Sequence, residues 1–225
     1  MSRRITFSPK EYYHLYNRGT EKRNIFLRKG DYERFITLLY LCNSEIPVHI
    51  QIQGKTLSEL TTLDRGDRLV DICAYCLMPN HFHILARQIK DGGISLFMQK
   101  IMTGYTMYFN KRNERSGVLF QGKFRATHAD NDAYLSYLIS YIHLNPVKII
   151  NPQWKERGIT NESRAKKFLK EYWWSSYPDY LGQKRTEGVI VEKESLPAYC
   201  KTPEDFEHAV EEWLNYNAKI IKVRP

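Results

Sequence analysis

The chain is poor in cysteine, glycine and proline, with 4, 12 and 9 among 225 residues, and it has no long uninterrupted apolar run. Four scattered cysteines do not make the disulfide framework of a small secreted domain and point to a reducing, cytoplasmic setting. Low glycine and proline exclude fibrous and low-complexity chains. No stretch approaches the roughly 18–20 apolar residues of a membrane span, so no membrane partner is expected. The opening MSRRITFSPKEYY has two arginines but no apolar region behind them, which is not a signal-peptide pattern. What remains is 42% hydrophobic and 26% charged, enough for one elaborated domain or two small ones, each with its own core.

Acidic residues are also in short supply. There are 25 Asp and Glu against 34 Lys and Arg, a net charge of +9. Residues 1–150 carry 21 basic and 13 acidic side chains, whereas the last 75 residues are nearly balanced at 13 and 12. A one-sided excess in the N-terminal two-thirds suits a polyanion partner. The 16 tyrosines and 10 phenylalanines supply core and, where exposed, surfaces on which unpaired bases stack.

Periodicity predicts strand 12–17, helix 31–43, strands 69–77 and 81–87 around a Met78-Pro79-Asn80 turn, helix 94–111 with Leu96, Ile101, Tyr105 and Tyr108 near one face, strand 123–129 and helix 131–144. Residues 46–68 read as a polar connection, a hairpin or a mobile loop. Asn131 or Asp130 caps the helix over 131–144, and Pro146 ends it by pushing Asn145 out of helical geometry. The order strand-helix-strand-strand-helix-strand-helix fits an α+β fold of ferredoxin-like type, one antiparallel sheet with helices packed on a face. Residues 151–225 form an appendage packed on that core, with an aromatic loop at 172–182 and a last helix near 203–218.

His81-Phe82-His83 lies on a strand, so both imidazoles leave one face while Phe82 and Ile84 enter the other. Imidazoles about 7 Å apart along the backbone can converge on a metal ion, although a bare His-x-His also describes two solvated histidines. Tyr141 and Asn145, four residues apart, share a helix face; an amide oxygen there is a reasonable third ligand for a hard cation. The segment 109–125 gathers Lys111, Arg112, Arg115, Lys123 and Arg125 against the single acid Glu114, a phosphate-contacting composition that Arg3, Arg4 and Arg18 extend. Cys73-x-x-Cys76 has no second pair to close a zinc site, and residues three apart on a strand face opposite sides, so both cysteines read as core. His128 and His143 read as ordinary.

Four blocks, MPNHFHIL (78–85), YFNKRNERSGVLFQGKFRA (108–126), YLSYLISYIHLNPVK (134–148) and WWSSYPDYLG (173–182), together resemble the REP-associated tyrosine transposases, within the single-strand HUH transposases. The resemblance runs over roughly residues 8–182. It implies that residues 1–150 are the catalytic and DNA-binding domain. It further implies that His81, His83 and Asn145 are metal ligands and that Tyr141 is the nucleophile, although Tyr134 and Tyr137 share its helix and Tyr105 and Tyr108 are also in range. The implied activity is cleavage and rejoining of single-stranded or hairpin DNA through a 5′-phosphotyrosine, with Mg²⁺ or Mn²⁺, by a monomer or homodimer. Two rival readings are a non-catalytic nucleic-acid-binding module derived from such a transposase and a hydrolytic metal-dependent nuclease.

Overall fold

Sheet register decides where every functional side chain goes. The computed structural model describes residues 5–47 and 55–214. Arg3 and Arg4, part of the 46–68 connection and the last residues of the helix expected to 218 lie outside the described residues. Strand β1 (Tyr12–Arg18), helices α1 (Lys29–Leu41) and α2 (Leu57–Leu60), strands β2 (Val70–Met78) and β3 (His81–Gln88), helix α3 (Gly93–Arg112), strand β4 (Arg125–Ala129) and helix α4 (Asp132–Leu144) follow one another. The sheet order is β2-β3-β1-β4 with every pair antiparallel, the ferredoxin-like α+β arrangement expected from the order of elements.

Alternation sorts the two faces. Tyr13 and Leu15 of β1 and Phe82, Ile84 and Ala86 of β3 enter a core with Phe35 and Leu39 of α1 and Phe97, Ile101 and Tyr105 of α3. Each large side chain buried there contributes about 1.5–3 kcal/mol. The periodicity misplaces one contact: Leu96 is exposed, and the inward stripe of α3 is Ile94, Phe97, Met98, Ile101, Tyr105 and Phe109.

Helices cover both faces of the sheet, not one. Leu135, Leu138, Ile139 and Ile142 of α4 close the second face together with Cys73, Ala74, Cys76 and Leu85. Asn131 caps α4 by accepting a hydrogen bond from Tyr134 N at 2.8 Å. Cys73 and Cys76 are fully buried, as core residues should be, but they point to the same face. The register shift between Ile72 and Ala74 inserts an extra residue into β2 and resets its alternation.

Beyond α4 come α5 (Val147–Ile150), α6 (Trp154–Arg157), α7 (Glu162–Glu171), α8 (Tyr177–Tyr180) and α9 (Pro203–Leu214). Phe206 and Val210 of α9 join the second core. The aromatic loop before α8 seals the outer edge of β2: Leu77 N donates to Trp174 O at 2.9 Å and Ser176 N to Tyr75 O at 3.0 Å. An open strand edge invites pairing with other chains; here this chain occupies it. Asp179 and Arg185, almost fully buried and 2.6 Å apart, clamp the loop, with Arg185 also donating to Tyr75 Oη at 3.1 Å.

Candidate active site

Paired residues of neighbouring antiparallel strands share a face. Tyr16 pairs with His83, Arg18 with His81 and His14 with Leu85, so His14, Tyr16, Arg18, His81 and His83 all lie on the face beneath α4. His14 Nε2 and His83 Nδ1 share a hydrogen bond of 2.8 Å. The His81 and His83 rings meet edge to face with centroids 5.0 Å apart. His81 Nδ1 donates to Asn80 Oδ1 at 2.6 Å, which leaves its Nε2 with a lone pair.

Tyr141 comes down onto this cluster from the C-terminal end of α4. Its ring stands edge-on to His83 at 5.6 Å and to His14 at 5.9 Å. Tyr134 and Tyr137 form a ladder behind it, and Tyr137 is turned toward Trp213 at 5.0 Å. Tyr105 and Tyr108 belong to the opposite face, their hydroxyls donating to Ile25 O at 2.5 Å and Asp31 Oδ1 at 3.0 Å. Asn145 stays in helical geometry, φ −52° and ψ −40°, contrary to the expectation for a residue before proline. Its N–H has slipped to Ile142 O at 3.4 Å, and its side-chain Nδ2 donates at 2.8 Å to the Tyr141 carbonyl, satisfying an orphaned acceptor of the last turn. That bond uses the amide nitrogen and not Oδ1.

Three neighbours of Tyr141 were not picked out from sequence. His14 and Tyr16 lie in YYHLYN, where alternation puts them on one face, but nothing local says that this face is the one shared with His81 and His83. Tyr16 stacks on His14 at 4.9 Å and lies 6.0 Å from His83. Lys155 sits on α6 with its ammonium 4.0 Å from the centre of the Tyr141 ring, and no motif marks it.

Burial dominates the electrostatics. It pushes His14 down to about 3, helped by Lys155. His81 falls to about 4 through burial and then Lys148, Lys155 and Arg18, and His83 drops well below its usual range through burial and then His14, His81 and Lys155. All three imidazoles are therefore neutral at pH 7, the form that coordinates a metal. Burial, followed by Tyr16, Tyr134 and Cys76, raises the Tyr141 phenol above 10, with Asn145 pulling the other way. Lys155 is lowered to about 8 by burial and then Lys148.

The donor set suits a cation in a defined way. A metal-bound histidine ordinarily has its second nitrogen held by a hydrogen bond, and His81 Nδ1 and His83 Nδ1 are both so held. Among the described residues, no three His, Cys, Asp or Glu side chains gather tightly enough to enclose a metal ion. A cation held through His81 and His83 would therefore need further donors, such as water and phosphate oxygens, to fill its shell, as Mg²⁺ commonly does.

The expected DNA-contacting residues divide. Arg18 and Arg125 are exposed on the histidine face, Arg125 being paired with Tyr16. Lys123 is exposed in the turn before β4. Lys111 and Arg112 end α3, which packs on the other face, and Arg112 lies 3.8 Å from Asp31. Arg115 is occupied in bracing its own loop, donating to Asn110 Oδ1 at 2.5 Å and Val118 O at 3.1 Å.

Residues 51–145 match the family model described as Transposase IS200 like. The transposase resemblance read from sequence holds. The matched span contains His81, His83, Tyr141 and Asn145 and stops short of His14 and Lys155. Among solved structures, the chain is similar to one described as a REP-associated tyrosine transposase bound to a REP hairpin, at 13% identity and a TM-score of 0.49, covering 83% of this chain and 90% of that one. It is also similar to tRNA(His) guanylyltransferase from Saccharomyces cerevisiae at 10% identity and a TM-score of 0.37, covering 88% and 80%. No curated protein matches the chain significantly. The match over residues 51–145 supports an activity of the DNA-transposition type.

Proposed function

We propose that this chain breaks and rejoins single-stranded or hairpin DNA through a covalent bond to Tyr141. The observation that carries this reading is the Tyr141 ring set edge-on to both His14 and His83 at 5.6–5.9 Å, within a span that matches a transposase family. A phenol is a weak nucleophile at neutral pH, and burial makes this one weaker still. Attack therefore calls for charge stabilisation at the phosphate. His81 and His83, with Asn145 Oδ1, are the residues that would hold Mg²⁺ or Mn²⁺. Such a cation, when bound, offsets charge building on the scissile phosphate and the departing 3′-oxygen.

In the forward step the bond from Tyr141 Oη to phosphorus forms and the bond from phosphorus to O3′ breaks. The phenol gives up its proton, and the 3′-oxygen leaves as a hydroxyl. The phosphodiester energy survives in the phosphotyrosine, so a second 3′-hydroxyl can reverse the step and rejoin strands without ATP. His14 holds the His83 ring in place. Asn145 fixes the last turn of α4 by binding the Tyr141 carbonyl, which locks the nucleophile's backbone.

The deciding experiment is a denaturing gel of the protein with labelled single-stranded hairpins from the sequence flanking its gene, with Mn²⁺, Mg²⁺ or chelator. The expected result is a metal-dependent, protease-sensitive adduct that Tyr141→Phe abolishes and Tyr16→Phe retains. Cleavage without an adduct would instead indicate a hydrolytic nuclease. Binding that tolerates chelator, with no product, would indicate a nucleic-acid-binding module.

A further inference from the structure

The ammonium of Lys155 is out of place for a structural lysine. It is half-buried on the four-residue helix α6, beside Trp154 at 5.6 Å and over Tyr141 at 4.0 Å. It makes no ion pair or hydrogen bond with the described residues, and its charged neighbours are Lys148, of like sign, and the adjacent Glu156. It also borders a cavity of about 20 Å³ lined by Tyr137, Tyr141, Leu144, Trp154 and Trp213, room for one water and no more. A cation withdrawn from solvent is normally paired, and the ring face beneath Lys155 compensates only in part. Its field reaches His14, His81 and His83, so the charge bears on the ground between the tyrosine helix and the histidines. Among the described residues, no carboxylate is ion-paired with it, Glu156 acting only through its charge.

We propose that Lys155 is a phosphate-binding residue of the tyrosine site, its ammonium donating to a non-bridging oxygen of the phosphodiester that Tyr141 attacks and then carries. The proposal rests on the strand-transfer reading above. Lys155 keeps its protons throughout. It pairs with the charge that builds on the phosphoryl oxygens while the Tyr141 oxygen bonds to phosphorus and the 3′-oxygen departs, and it pairs again with the phosphotyrosine diester. A fixed donor aimed at developing charge in a site of low polarity is the most effective kind.

Two measurements test this and separate its failure from failure of the function. In the first, adduct formation is timed in a single turnover for wild type, Lys155→Met and Lys155→Arg, on a flanking-sequence oligonucleotide and on the same strand with a neutral methylphosphonate at the scissile position. Lys155→Met should slow the normal strand about a hundredfold while leaving its affinity within about threefold, and Lys155→Arg should recover at least about a tenth of the rate. On the methylphosphonate strand the Met variant should lose little more, because the charge it would have met is gone. In the second, acylation of Lys155 is followed by mass spectrometry in otherwise unaltered protein and in Tyr141→Phe, with and without the oligonucleotide or inorganic phosphate; both should protect the lysine. Wild-type adduct formation with an unaffected Lys155→Met overturns the proposal alone. No adduct in any protein, with Lys155 still protected by phosphate, overturns the strand-transfer reading and leaves a phosphate site. An unprotected lysine overturns the proposal whatever the chemistry.

Discussion

The two faces of the sheet are built from the same strands by different rules. Beneath α1 and α3 the inward residues of β1 and β3 are Tyr13, Leu15, Phe82, Ile84 and Ala86, and packing accounts for all of them. Beneath α4 the alternate residues of the same strands are His14, Tyr16, His81 and His83. Three imidazoles driven to neutrality and a half-buried ammonium are a poor way to stabilise a fold, since each desolvated polar group costs free energy unless it is satisfied. The second face gives up stability to concentrate hydrogen-bonding and coordinating groups at the end of one helix.

The comparison breaks most sharply if one strand is mutated on alternate sides. His83→Ala should reduce adduct formation by at least about a hundredfold and lower stability by only about 1–3 kcal/mol, the cost of leaving the buried His14 Nε2 without its partner. Phe82→Ala, one residue away, should lower stability by about 3–5 kcal/mol through the cavity it leaves, and the surviving folded fraction should keep its chemistry. Single-turnover assays and denaturant titrations on both variants check this. Equal loss of stability in the two would mean that the faces are not specialised.

His143 provides a control within the second face. It is fully buried and satisfied on both nitrogens, by Ile139 O and Ser176 Oγ, each at 2.8 Å. Burial lowers it to about 4. Above pH 6.5 it is neutral folded or unfolded and contributes no pH dependence. As the pH falls below 6.5 the unfolded chain takes the proton first, so stability declines until about pH 4. The loss is on the order of 3 kcal/mol. His14 and His81, lowered to about 3 and about 4, add in the same direction. Urea midpoints between pH 7 and pH 4 should therefore fall, and His143→Gln should make the decline shallower.

How far the sequence alone reaches follows from the range of the interactions involved. Alternation and helical spacing are local, so the element order, the His81 and His83 pairing and the shared face of Tyr141 and Asn145 were all legible. Register across strands is not local. His14 alternates correctly within YYHLYN, yet only the pairing of β1 with β3 brings it against His83. The bulge that turns Cys73 toward the same face as Cys76 is likewise set by the partner strand. Helices on both faces follow from where α4 docks, which its own amphipathic pattern does not specify. Asn145 shows a further limit. The general bias before proline predicts an extended residue, but a side-chain bond to the Tyr141 carbonyl holds it in the helix. Lys155 left no local trace, because its significance depends on a fold-back from a separate short helix.

The smallest expected effect concerns the basic residues, which the two faces divide between them. Arg18 and Arg125 are exposed on the histidine face, whereas Lys111 ends α3 on the other. A side chain that meets a phosphate of a single strand contributes about 0.7 to the slope of log affinity against log salt. For a single-stranded oligonucleotide crossing the tyrosine site, Arg125→Gln should therefore reduce the slope by about 0.7, with a loss of affinity of about tenfold or less at moderate salt. Lys111→Gln should leave that slope unchanged on the same strand. If a duplex stem is added and Lys111→Gln then begins to matter, the stem reaches around to the far face, and the two faces divide the substrate as well as the charge. Fluorescence anisotropy at four or five salt concentrations resolves the difference. Identical slopes for both variants on the single strand would show instead that the strand does not keep to the histidine face.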